Sequence, residues 1–191
     1  MVYIINGMSG VGKSTFCNYV KLLAGPEYCT EISTVDLVKE IAYTSGWWDG
    51  YTKGESEREF FWDLKNVLKK YGLARYDSNI PFWDAMKRVD AFCDSRKIPL
   101  EQTAIFINTR DPEEIKDFVK LAQAKTVLIK RADIENKGTL GDYDRQIFDY
   151  LYDITIMNNG TEADLLLEAY KFIQFEGIHF DTSKLVLLKN L

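Results

Sequence analysis

The order of patterns along this 191-residue chain predicts a three-layer α/β fold, with a central parallel sheet of about five strands flanked by helices. Short apolar runs alternate with longer segments of helical character, which is how a parallel sheet with crossover helices reads. A glycine-rich turn, "IINGMSGVGKST" from Ile4 to Thr15, joins the first run to the first helical segment. The alternation breaks once, between Trp47 and Arg96, where two helical segments follow each other with no strand between them.

Strands are expected at Val2–Asn6, Thr30–Ser33, Ala104–Asn108, Thr126–Lys130 and Ile154–Met157. Helices are expected at Lys13–Leu23 (apolar Phe16, Val20 and Leu23), Val35–Thr44, Glu57–Tyr71, Pro81–Ser95, Pro112–Gln123 and Glu162–Phe175. Asp111 suits the cap before the fifth helix, Pro112 its first position, and Glu114 completes a capping-box spacing. Those acids therefore have a structural task. Thr161 is the matching cap before the last long helix. The terminal "SKLVLLKNL" reads as an edge strand or an oligomer contact.

With 46% apolar residues the chain suffices for a single domain over residues 1–191, in which 47–96 is a helical acceptor-binding insertion and 131–152 a lid-like segment. A net charge of -5 leaves no global basic field, so no nucleic-acid partner is expected. No apolar run approaches the roughly 20 residues of a bilayer span, and no leader precedes the first strand, so a cytoplasmic protein without a membrane partner is expected. Cys17, Cys29 and Cys93 are odd in number and widely spaced, which reads as thiols in a reducing compartment. His179, the single histidine, reads as a surface residue.

The turn after the first strand has the form G-x-x-x-x-G-K-[ST], carried by Gly7, Gly12, Lys13 and Ser14. Strand, glycine loop and helix is the setting this P-loop motif needs, because loop N–H groups and the helix N-terminus then converge on an anion. Gly7, Ser9, Gly10, Val11, Gly12, Lys13, Ser14 and Thr15 are the expected nucleotide contacts. Lys13 would lie along the β and γ phosphates of ATP, and Ser14 would hold Mg2+.

Other basic residues fall at strand ends or on helices beyond them. Arg110 follows the third strand and suits bidentate phosphate binding. Asp36 and Lys39 share a helix face, offering a cation for the acceptor and a carboxylate for metal, substrate hydroxyl or that lysine. Arg58 and Lys65, seven apart, follow the aromatics Trp47, Trp48 and Tyr51. Lys130 and Arg131 end the fourth strand, and Lys137 and Arg145 lie in the polar stretch beyond it. Cations over the phosphates suit phosphoryl transfer, which is catalysed mainly by positioning and charge neutralisation.

The blocks "GMSGVGKST", "STVDLVKEIA", "NTRDPEEI" with "AKTVLIKR", and "YDITIMNNGTEADL" resemble the nucleoside and nucleotide kinase group of P-loop proteins. The likeness is to phage-type deoxynucleoside monophosphate kinases and related dephospho-CoA-kinase-like proteins. It implies a P-loop NTPase fold in which Lys39 and Arg110 meet the substrate monophosphate and Arg131 neutralises the transferring group. Asn159 and Gly160 would border the ATP base. Many relatives carry aspartate two residues before the arginine, where this chain has Asn108, which leaves Asp36 as the candidate metal carboxylate. The expected activity is transfer of the ATP γ-phosphoryl group to a small phosphorylated acceptor, most simply a nucleoside monophosphate. A nucleoside, coenzyme precursor or sugar acid as acceptor, a non-catalytic ATP-binding role, and a homodimer all remain open at this stage.

Overall fold

The computed structural model describes residues 1–52, 54–135, 147 and 150–189. The strands are β1 (Val2–Asn6), β2 (Cys29–Ser33), β3 (Ala104–Asn108), β4 (Lys125–Lys130) and β5 (Ile154–Met157). The helices are α1 (Lys13–Ala24), α2 (Asp36–Thr44), α3 (Glu55–Tyr76), α4 (Ile80–Arg96), α5 (Pro112–Leu121), the short α6 (Ala132–Glu135), α7 (Glu162–Glu176) and a terminal α8 (Leu185–Leu188). The sheet order is β2-β3-β1-β4-β5. β1 runs parallel to β3 and β4, and β4 parallel to β5. The expected three-layer P-loop fold is present.

This order decides where the helices go. The chain leaves β1 toward β2 in one direction, and leaves β3 toward β4 in the other. Right-handed crossovers therefore set α1 and α5 on opposite faces of the sheet. On the α1 face, Tyr3 and Ile5 of β1 pack with Phe16, Val20 and Leu23 of α1 and with Leu165, Ala169, Phe172 and Ile173 of α7. Tyr3, Phe16, Phe106 and Phe172 interlock there with ring centroids 5.0–6.1 Å apart. Alternation along β1 then turns Ile4 and Asn6 toward the α5 face.

The base of the sheet is pinned by one carboxylate. Buried Glu176, at the end of α7, accepts from the Tyr3 hydroxyl and the Lys125 ammonium, both at 2.8 Å. Burial, with the carboxylate second, holds the Tyr3 phenol far above its ordinary pKa.

The chain divides into two compact units, one of Met1–Glu31 with Phe92–Leu191, the other of Ile32–Ala91. The second has its own small core, in which Val38, Ala42 and Phe61 are joined by Trp48, Phe60, Leu64 and Leu68. Trp47 stacks on Phe60 at 3.7 Å and Trp48 meets Phe61 edge-on at 5.1 Å, so both tryptophans serve the packing of this unit. α3 runs past the expected end at Tyr71, through Gly72, to a left-handed Asp77. Gly72 is a point of close approach, where a side chain would meet the Ser78 carbonyl and Ile80.

The carboxy-terminal stretch is a correction. It forms a 3-10 turn, Thr182–Lys184, capped by Asp181, then α8, with no strand among the described residues. His179 is also not a bare surface residue. Its ring stacks on Tyr28 at 3.7 Å, and Nδ1 lies 2.9 Å from the Ala24 carbonyl.

Candidate active site

β1 is buried to its last residue, Asn6, and the chain then turns sharply. Gly7, Gly10 and Gly12 have φ of 140°, 82° and 98°, conformations that favour glycine. A side chain at Gly7 would strike the Ile129 backbone carbonyl of β4 and the Val11 side chain, and one at Gly12 would strike the Asn158 amide. The loop is thus pressed against β4 and the β5–α7 turn, and space forbids anything but glycine at its two ends. Gly12 gives α1 no side-chain cap, and no acid occupies the helix's first turn. The positive end of the helix therefore meets no acidic side chain of its own first turn, a setting that suits an anion.

Lys13 folds back across the loop and donates to the Gly7 carbonyl at 2.6 Å and the Met8 carbonyl at 2.7 Å. Ser9, Gly10 and Ser14 are exposed beside it, while Val11 is buried. Below the start of α1 the helix turns inward. There burial pushes the Cys17 thiol well above its ordinary pKa and that of Cys29 up to about 12, so neither is a reactive thiolate at neutral pH.

A cavity of about 350 Å³ opens beside the loop, lined by Gly10, Gly12, Thr15, Arg131, Gly160 and Thr161 among others. Segments distant in sequence, the loop, the end of β4 and the β5–α7 turn, are therefore brought together around one space. Thr161 caps α7 through a complete capping box with Asp164. Asn159 accepts the Ala132 N–H at 2.8 Å, tying that turn to the start of α6.

No protein-family model matches this chain, and no curated protein matches its sequence. Three solved structures are similar to it in backbone. Shikimate kinase from Aquifex aeolicus is 13% identical, with a TM-score of 0.48 over 93% of this chain and 98% of its own. Thymidylate kinase from Candida albicans is 11% identical, with a TM-score of 0.49 over 92% of each chain. A sugar kinase from Janibacter sp. is 14% identical, with a TM-score of 0.43 over 91% of this chain and 94% of its own. At these values none of the three assigns this chain a substrate.

Sequence reasoning missed Asn158. It is buried, its Nδ2 donates to the Val11 carbonyl at 2.8 Å, and its own N–H donates to Lys130 at 2.7 Å. The signal was available, because the period of two that buries Ile156 continues to Asn158. Asn158→Ala leaves the Val11 carbonyl without this partner, at an expected cost of about 1–3 kcal/mol. A lowered melting temperature and weaker ATP-analogue binding, read by thermal denaturation and calorimetry, are the expected results.

The remaining candidates occupy distinct settings. Arg110 is exposed beyond β3, before the Asp111 cap that accepts from the Glu113 and Glu114 N–H groups. Glu114 serves the same turn differently from a capping box, since its buried carboxylate accepts from the Thr109 hydroxyl. Asn108 donates to Glu31 at 2.6 Å. Within the second unit, Asp36 accepts from the Ser33 N–H at 2.7 Å and from Lys39 at 2.9 Å, so each carboxylate oxygen is engaged. Arg58 is exposed, whereas Lys65 is 3% exposed and donates to Thr34 at 2.8 Å. The two do not share an environment. Lys137, Arg145 and most of the lid-like segment lie outside the described residues.

Proposed function

We propose that this chain is an ATP-dependent small-molecule kinase that moves the γ-phosphoryl group onto a nucleoside monophosphate. One observation carries the reading. Lys13 is held over a glycine loop that leads into an α1 N-terminus with no side-chain cap and no acid in its first turn, next to a cavity of a size for a nucleoside. In this reading Gly7 to Thr15 hold the phosphates, Asn159 and Gly160 border the base, and Arg131, in the cavity wall, offsets charge on the transferring group.

Mg2+ would be held by the exposed Ser14 hydroxyl together with the nucleotide's own phosphate oxygens, in keeping with a metal that keeps few protein ligands. Among the described residues no group of three or more His, Cys, Asp or Glu side chains is placed for a metal. When bound, the metal would supply charge neutralisation on the nucleotide's phosphates. A phosphate acceptor is ionised at neutral pH and needs no general base. Asp36, the candidate base for a hydroxyl acceptor, is instead occupied by the Ser33 N–H and by Lys39, which favours the phosphorylated acceptor.

The test is ADP release from ATP and Mg2+ against a panel of nucleoside monophosphates, nucleosides, dephospho-CoA and sugar acids. At least one monophosphate is expected to raise release on the order of tenfold or more above background hydrolysis. A response confined to hydroxyl acceptors would move the assignment to those acceptors. A flat response across the panel would leave a nucleotide-binding protein without this activity.

A further inference from the structure

α3 buries one face and leaves another unused. Phe61, Leu64 and Leu68 pack with Val38 and Ala42 in the core of the Ile32–Ala91 unit. A different stripe of the helix, Asp63, Val67, Lys70, Tyr71 and Ala74, is exposed. Val67 is 47% exposed and Tyr71 63%. Neither is a strong helix former, so a solvated face has no helical reason to hold them.

Charge along this stripe is segregated rather than interleaved. Glu59 and Asp63 stand on the N-terminal side of Val67, and Lys70 on its C-terminal side. Glu59 and Asp63, four apart, repel each other. Asp63 and Lys70 lie about 10 Å apart along the axis, and neither has an opposite charge three or four positions away. Neither has an ion-pair partner among the described residues. The helix macrodipole favours such a split only in the terminal turns, and both residues lie further in.

A face patterned in this way is complementary to its own copy turned end for end. We propose that α3 packs antiparallel on α3 of a second copy of this chain, about a two-fold axis at Val67. Such a contact is isologous, so every pairing in it occurs twice. Asp63 then stands about 6 Å from the axis, and Lys70 of the second copy about 4.5 Å from it on the same side. The same symmetry keeps these two on one flank of the helix pair, within reach of an ion pair. On the other flank Tyr71 falls between Leu64 and Phe60 of the second copy, side chains only partly buried within their own unit. A parallel pairing would instead set acid on acid and base on base. One helix face per copy is a small contact, which suits a reversible dimer. The proposal concerns the Ile32–Ala91 unit alone and does not rest on the kinase reading.

Sedimentation velocity of the whole chain over about 1–200 µM tests it, and a monomer–dimer equilibrium is expected. Val67→Glu sets two carboxylates on the axis and is expected to weaken dimerisation about tenfold or more. Asp63→Lys and Lys70→Asp are each expected to weaken it about tenfold, because each sets like charges together. An equimolar mixture of those two variants is expected to regain the dimer, since each copy then meets the opposite charge on the other. All three positions are exposed, and melting temperatures check that the variants fold. The charge variants remain decisive if Val67→Glu does not fold. A chain that stays monomeric over the whole range overturns the proposal. So does a dimer indifferent to Val67→Glu, or a mixture of the charge variants that associates no better than either alone.

Discussion

Lys13→Ala is expected to lower phosphoryl transfer by about a hundredfold or more, the equivalent of about 3–4 kcal/mol of lost transition-state stabilisation. The lysine stands at the loop's mouth, anchored to two loop carbonyls, so its ammonium is in place before a nucleotide arrives. Such a preorganised cation acts on charge that develops between the β and γ phosphates, and water cannot replace it in a closed site. The side chain is only partly buried and lies outside the core packed by α1 and α7, so the fold is expected to survive. Turnover and the melting temperature, measured together, check this. A folded Lys13→Ala protein with undiminished transfer would remove the loop from the mechanism.

Gly7→Ala is expected to act on the fold as well as on the site. At φ 140° an alanine is strained whatever the space around it, and here the space is taken by the Ile129 carbonyl. That oxygen belongs to β4, a strand paired on both sides, so it cannot step aside as a side chain could. Strain of about 1–3 kcal/mol, with the displacement of the loop added, is expected to lower the melting temperature and abolish ATP-analogue binding. Unchanged stability and unchanged nucleotide affinity in Gly7→Ala would refute this account of the loop's packing.

Much of the architecture was legible in the residues. The apolar runs at Val2–Asn6 and Ala104–Asn108 are strands with the bounds expected, because a strand buried between helical layers has little polar content to blur its ends. Ile154–Met157 also has the bounds expected, although at the sheet edge only Ile156 of it is buried. Asp111 with Pro112, and Thr161, were readable because capping chemistry is local. What stayed hidden depends on distant partners. The helix expected to end at Tyr71 runs on through Gly72, where the chain returning at Ser78 requires a glycine. His179 looked like a surface residue because nothing nearby in sequence announces Tyr28. The terminal "SKLVLLKNL" read as an edge strand or an oligomer contact and folds as a short helix, because a short apolar run carries no period that separates strand from helix. Asn6 and Asn158, each at the end of a strand, are the clearest loss. Asparagine at a strand end reads as a turn, and only the folded chain shows that one braces Val11 while the other accepts the Gly7 N–H.

The folded-back ammonium of Lys13 has a consequence for which molecules can settle on the loop. An arriving anion meets an ammonium already held by two of the protein's own carbonyls, at 2.6 and 2.7 Å. In the kinase reading, a triphosphate offers that ammonium oxygens of two adjacent phosphates, each a charge-assisted partner stronger than a neutral carbonyl. A monophosphate offers a single group and gains less. On that reading the loop favours the donor over the acceptor by the number of phosphates alone, before any base has been read.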